Sequence, residues 1–306
     1  MRCMVTGGCG FIGSHIAEAL TEQGCAVVVY DNLSSGHERN LAGFRDKVTF
    51  VRGDVRDAAA LSAAMAGVDR VFHEAALVSV FDSVERPLDN HEINIAGVLN
   101  VLNAARAAGV KRVLLAASAA AYGNNPTLPK HEGMCPEPES PYALAKVAGE
   151  HYMRVFARLY GVETVSLRYF NVYGPRQDPG SMYSGVISRF TDALAKGENP
   201  VVFGDGKQTR DFVFVRDVVR ANLLAMESDR LGQGEVVNIG TGRSVSLLDL
   251  LRDLRTLTGR DFDIQFQPER AGDIRHSLAD IARARATMAY RPEYDMPSGL
   301  AELLAE

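Results

Sequence analysis

The chain has 306 residues, 46% hydrophobic and 23% charged, with a formal net charge of −5. Those values fit a globular chain able to bury one large or two modest cores. Charges of both signs are interspersed with no basic tract, so no nucleic-acid partner is expected, and no apolar run reaches the roughly twenty residues of a membrane span.

Met1–Thr6 reads as a short buried strand, which leaves no separate leader to expect and points to the cytoplasm. Cys3, Cys9, Cys25 and Cys135 lack metal-ligand spacing and read as core or loop residues in a reducing compartment, with no metal expected. Gly7, Gly10 and Gly13 follow the strand and enclose Phe11 and Ile12. From Ser14, the residues Ile16, Ala17 and Leu20 recur at helical spacing. A strand, a glycine turn and a helix N-terminus form an anion site, because free N–H groups and the helix dipole favour a pyrophosphate. The helix is expected to end near Gly24, and the strand Ala26–Tyr30 delivers Asp31 at its carboxyl end. A carboxylate there can take both hydroxyls of an adenosine ribose and repel the 2′-phosphate of NADP, so the pattern points to NAD.

The loop after Asp31 offers Asn32, Ser35 and Gly36 to wrap the adenosine. Val48–Val51 is a third strand leading to Asp54 and Val55, where Asp54 either meets the adenine edge or caps the helix from Ala58. A fourth strand, Arg70–His73, opens into Glu74, Ala75 and Ala76, whose alanines suit close passage beside a nicotinamide ribose. His73, a lone histidine closing an apolar strand, is read as structural. A helix over Glu92–Ala108 places Asn94 near its start, and Lys111–Ala117 is a fifth strand ending at Ser118. This alternation predicts right-handed crossovers and a doubly wound parallel sheet of Rossmann type, an α/β fold. Gly123 to Pro141 is a proline-studded loop before a helix running to about Tyr160, and Glu163–Tyr169 returns to the sheet. Beyond Asn171 the shorter, Gly-, Pro- and Tyr-rich pattern marks a smaller mixed α/β substrate region. The expected division is 1–171 for the dinucleotide and 172–306 for the substrate, with segments near 212–240 returning to the first part.

Tyr142 and Lys146 lie four apart, so a helix puts phenol and ammonium on one face. A nearby positive charge is expected to lower a phenol pKa from its ordinary value of about 10. Such a tyrosine can take the proton of a hydroxyl while hydride leaves the same carbon. The spacing alone is weak evidence, but here it opens a helix and faces Ser118 at a strand's carboxyl end, where this architecture binds ligands.

Together, TGGCGFIG, Asp31, Asp54, Ser118-Ala-Ala-Ala-Tyr-Gly, YALAK and RYFNVYGPR resemble the extended short-chain dehydrogenase/reductase family over nearly the whole chain. Within it the closest resemblance is to UDP-hexose 4-epimerases, including the branch that handles UDP-N-acetylglucosamine. The resemblance implies bound NAD, a Ser118–Tyr142–Lys146 triad, and nicotinamide-side contacts at Tyr169 and Phe170. It also implies nucleotide-sugar contacts at Ser79, Asn171, Val186, Arg210, Arg270, Asp273 and Ser277, and a homodimer through a helix bundle. Ala116 and Ala117 depart from the hydroxyl run often found before the serine, and Ala119 and Ala120 replace the acid pair of 4,6-dehydratases. The alternatives are another NAD-dependent nucleotide-sugar enzyme (dehydratase, decarboxylase or reductase) or a non-catalytic nucleotide sensor. Ser277 carries the substrate expectation: a small residue there leaves room for an acetamido group, unless it merely caps the helix near Asp280.

Overall fold

Short runs of β-branched and apolar residues, buried on both faces, make a parallel sheet the natural outcome. The structure is a computed structural model and describes residues 1–178, 185–269 and 274–305. In chain order the first part runs β1 (Arg2–Thr6), α1 (Phe11–Glu22), β2 (Ala26–Asp31), β3 (Val48–Arg52), α2 (Ala58–Ala64), β4 (Arg70–His73), α3 (Val80–Glu85), α4 (Pro87–His91), α5 (Gly97–Ala108), β5 (Arg112–Ser118), α6 (Pro141–Tyr160) and β6 (Glu163–Tyr169). The second part adds β7 (Asn171–Tyr173), α7 (Val186–Ala195), β8 (Val201–Phe203), β9 (Thr209–Arg210), β10 (Phe212–Phe214), α8 (Val215–Glu227), β11 (Gln233–Ile239), β12 (Val245–Ser246), α9 (Leu247–Thr258), β13 (Gln265–Gln267), α10 (Ala282–Met288) and α11 (Met296–Ala305).

Seven strands form one parallel sheet in the order β11-β6-β5-β4-β1-β2-β3. Winding reverses between β1 and β4, which opens a crevice at the carboxyl ends of the strands. Ile16 and Leu20 of α1 and Val218 and Met226 of α8 cover one face of the sheet. Leu61 of α2, Val101 and Leu102 of α5, and Met153 and Phe156 of α6 cover the other. This is the doubly wound Rossmann-type fold.

Three small two-stranded sheets, β7–β10, β8–β13 and β9–β12, stand beyond the carboxyl ends. Phe190, Phe214, Leu250, Leu254 and Leu300 give that region its own core. The chain between 212 and 240 serves both parts, since β10 pairs with β7 while β11 forms the edge of the large sheet beside β6. No helix among the described residues is long and apolar enough to cross a membrane.

Candidate active site

Gly7 adopts φ +67°, and a Cβ there would lie 2.6 Å from Ala75 N. A Cβ on Gly13 would lie 2.2 Å from Gly7 O. The turn therefore admits no side chain at either place. Gly10 caps α1, no side chain bonds to the amides of its first turn, and Phe11 and Ile12 open the helix. Asp31, buried at the end of β2, accepts from Cys9 N at 2.9 Å and Leu33 N at 2.7 Å, tying its carboxylate to the turn. Gly36 packs so closely on Cys9 that a Cβ would lie 2.8 Å from Cys9 C, while Ser35 is exposed.

Asp54 accepts from Asn32 Nδ2 at 2.8 Å and from Arg56 Nη2 at 2.8 Å. The Arg56 hydrogen bonds hold its carboxyl well below the usual carboxylate range. The cap of α2 is Asp57, accepting from Ala59 N and Ala60 N, so Asp54 does not cap it. Val55 is buried against Gly97, and Ala75 and Ala76 are half-buried beyond β4. A free helix N-terminus, a turn that any Cβ would fill and a fixed carboxylate at the next strand end fit a dinucleotide.

Ser118 closes β5, accepts from Ala120 N at 3.2 Å and lies close enough to Tyr142 to favour its ionised form. Tyr142 lies in the first turn of α6, which is capped by Ser140 accepting from Ala143 N at 3.1 Å. Sequence reasoning missed what fixes this turn. Tyr142 N donates to Ser83 Oγ at 3.1 Å, and Asn90 Nδ2 donates to Pro141 O at 3.0 Å. Asn94 in turn bonds Asn90 Oδ1 at 2.7 Å and pins both the N and O of Leu77. It does not open an α-helix as expected. It sits in a π-turn, Glu92–Ala96, that joins α4 to α5.

The Lys146 Nζ lies 5.7 Å from the Tyr142 ring centroid and donates to Ala116 O at 2.7 Å. Burial pushes Lys146 down to about 8, opposed by Glu74 and Glu150. The expected lowering of Tyr142 is not what the protein alone shows. Burial pushes the phenol up, Ser118 opposes, and Glu74 adds to the rise. Desolvation of the phenolate outweighs a lysine whose ammonium is aimed at a carbonyl. Tyr169 at the end of β6 donates to Glu74 Oε1 at 2.9 Å and accepts from Asn222 Nδ2 at 2.8 Å. Phe170 is buried against Tyr122, with ring centroids 6.4 Å apart. His73 bonds Thr6 Oγ1 at 2.7 Å, and burial holds its pKa down to about 3, so it stays neutral.

Across from this corner is a cleft of about 170 Å³ lined by Asn171, Val186, Arg189, Gln208 and Arg210. Arg189 and Gln208 were not singled out from the sequence. Gln208 is two residues before Arg210, and its Oε1 is buried with no hydrogen-bond partner among the described residues. Ser277 N donates to Thr209 O at 3.1 Å, which places Ser277 half-buried beside the strand of Arg210. Ser277 caps nothing: Ala282 N at the start of α10 bonds Asp280 Oδ1. Ser79 is buried with its hydroxyl capping α3 through Asp82 N at 2.9 Å. Arg270 and Asp273 lie outside the described residues.

A parallel sheet carrying a glycine turn and an acidic strand end, with serine, tyrosine and lysine at the neighbouring edge, defines a nicotinamide-dinucleotide enzyme of Rossmann type. Residues 3–240 match the NAD dependent epimerase/dehydratase family, and the chain belongs to it. The UDP-glucose 4-epimerase of Mycolicibacterium smegmatis is 40% identical over 307 residues, covering 99% of this chain and 97% of the relative. The UDP-N-acetylglucosamine 4-epimerase of Methanobrevibacter ruminantium M1, solved in complex with UDP-N-acetylmuramic acid, superposes with a TM-score of 0.95 at 40% identity, covering 99% of this chain and 97% of that one. The UDP-glucose 4-epimerase of Thermus thermophilus, solved in complex with NAD, gives a TM-score of 0.90 at 37% identity, covering 100% of this chain and 98% of that one.

Proposed function

We propose that this chain interconverts UDP-hexoses epimeric at carbon 4 through a 4-keto sugar, acting on UDP-N-acetylglucosamine and UDP-N-acetylgalactosamine as well as UDP-glucose and UDP-galactose. The observation that carries the reading is Ser118 at the sheet edge close enough to Tyr142 to act on its phenol, with Lys146 buried one helical turn on. When bound, NAD supplies a positive charge and the acceptor and donor of the hydrogen at carbon 4. Tyr142 takes the 4-hydroxyl proton and later returns it. Ser118 hydrogen-bonds the same oxygen, and Lys146 supports the phenolate. The glycine turn with Asp31 holds the dinucleotide, and the cleft at Asn171 and Arg210 holds the UDP group, for which guanidinium forks are suited.

The division of labour follows the chain, with 1–171 and the segment that includes β11 carrying the dinucleotide and the rest of 172–306 carrying the nucleotide sugar. Ala119 and Ala120 leave no acid–base pair for eliminating water, which disfavours a dehydratase. Two copies pair in the cytoplasm through α5 and α6. Leu144, Val155 and Leu159 of α6 are exposed at one-face spacing, Leu159 by 70%, and an apolar stripe of that kind calls for a cover. The test is to incubate the purified protein with each of the four UDP-sugars and no added dinucleotide. Each is expected to yield its 4-epimer, and a released keto, deoxy or decarboxylated product would refute the reading.

Ser277→Tyr is expected to lower kcat/KM for the acetylated sugars roughly ten- to hundredfold, because overpacking a closed pocket costs about 1–3 kcal/mol. The plain sugars should keep rates near those of the unaltered protein. Steady-state kinetics on both pairs checks this, and equal loss on both would remove Ser277 from substrate selection.

A further inference from the structure

Glu74 is an acidic side chain at the carboxyl end of β4 with no part in the proton transfers above. It follows β4, directly against the glycine turn: a Cβ on Gly7 would lie 2.9 Å from Glu74 C. Its Oε1 accepts from Tyr169 Oη at 2.9 Å. That hydroxyl accepts from Asn222 Nδ2, which is fully buried on α8 and also donates to Val218 O at 2.9 Å. The carboxyl is therefore fixed by β6 and α8 rather than left to swing on a loop. From α6, Lys146 and Tyr142 are the charged and titratable groups that feel it. Burial pushes its pKa up to about 7, while the Tyr169 hydrogen bond and Lys146 pull it down. Glu74 thus has its backbone against the glycine turn and its charge within reach of Tyr142.

We propose that Glu74 is the counter-charge for the oxidised dinucleotide, its carboxylate favouring the cationic ring of NAD⁺ over the neutral ring of NADH. Glu74 thereby biases the balance between hydrogen held on the sugar and hydrogen held on the cofactor, as a positioning residue that touches neither proton nor sugar oxygen. The inference rests on the dinucleotide reading above. Its sign follows from linkage. A carboxylate that stabilises a cation binds it better when ionised, so the preference for NAD⁺ grows as pH rises through the Glu74 pKa.

The test equilibrates the full-length protein with fixed mixtures of NAD⁺ and NADH, then releases the bound dinucleotides and measures their ratio. Between about pH 5.5 and 7.5, the bound NAD⁺:NADH ratio of the unaltered protein is expected to rise about tenfold, the factor of one pKa unit of coupling. Glu74→Gln keeps an acceptor for Tyr169 but cannot ionise, and its ratio should stay lower and rise much less over that range. Loss of charge from Lys146 also raises the ratio with pH, but it survives in Glu74→Gln, so the difference between the two curves reports the carboxylate. If Glu74→Gln does not fold, Tyr169→Phe serves instead. It keeps the carboxylate without its hydrogen bond and should move the rise to higher pH. A flat curve for the unaltered protein, an equal rise in Glu74→Gln, or an unmoved midpoint in Tyr169→Phe overturns the proposal. Failure of the unaltered protein to bind either dinucleotide defeats the cofactor reading itself.

Discussion

Tyr142→Phe is expected to lower turnover by about two to four orders of magnitude, the usual contribution of a positioned general base. UDP affinity should change by no more than about twofold, because an interaction made in the transition state affects rate and not ground-state binding. The substitution removes one oxygen and keeps the ring. Ser83 and Asn90 hold the helix start through backbone groups of Tyr142 and Pro141, so the turn itself should survive. Single-turnover kinetics with calorimetry of UDP binding checks this. A rate near that of the unaltered protein would make the phenol structural.

The second large effect is at Gly13. Gly13→Ala would place a Cβ 2.2 Å from Gly7 O and 3.0 Å from Gly8 Cα, both backbone atoms with no flexible end to yield. The turn must open, and dinucleotide carried through purification is expected to fall more than about tenfold, equivalent to at least about 1.4 kcal/mol of binding. Gly24→Ala is the control. Gly24 has φ +75° with nothing within 4 Å of a Cβ, so it should lose about 1–2 kcal/mol of stability and keep its dinucleotide. Extraction of both proteins and measurement of released dinucleotide separates the two effects. Equal retention in both would mean that the glycine turn is not the cradle.

The large sheet was legible because its strands are nearly continuous apolar runs bounded by turns. Arg70–His73 and Glu163–Tyr169 appear at the expected residues, since both lie in the sheet interior and are fixed by partners on either side. The helix around Asn94 was legible only in part. Pro87 starts a helical turn earlier than expected, and the π-turn carries Asn94, whose bonds to Leu77, seventeen residues away, leave no periodic trace in the sequence. Asp54 and Asp57 show a different limit. Both precede the same helix, and Asp54 is engaged by Arg56 and Asn32 while Asp57 takes the cap.

The positions of Ser118, Tyr142 and Lys146 followed from strand end and helix spacing, but their electrostatics did not. Spacing puts Lys146 beside Tyr142, whereas the Ala116 carbonyl takes the ammonium and burial raises the phenol. Glu74 was visible only as a lone charge between an apolar strand and two alanines. Nothing in the sequence announces Asn222 or Tyr169 as its partners, because they come from α8 and β6. The cleft was legible at Asn171, Val186 and Arg210, and illegible at Arg189, which enters from a helix in a region without regular alternation.

The most direct test of the central claim follows the hydrogen at carbon 4. UDP-glucose carrying deuterium at that carbon is incubated with the purified protein, no dinucleotide added, and the UDP-galactose formed is analysed by NMR and mass spectrometry. The account expects the deuterium to stay at carbon 4 with inverted configuration, with none lost to solvent. Washout of the label into water, or epimerisation only when dinucleotide is supplied in equal amount to the sugar, would contradict it.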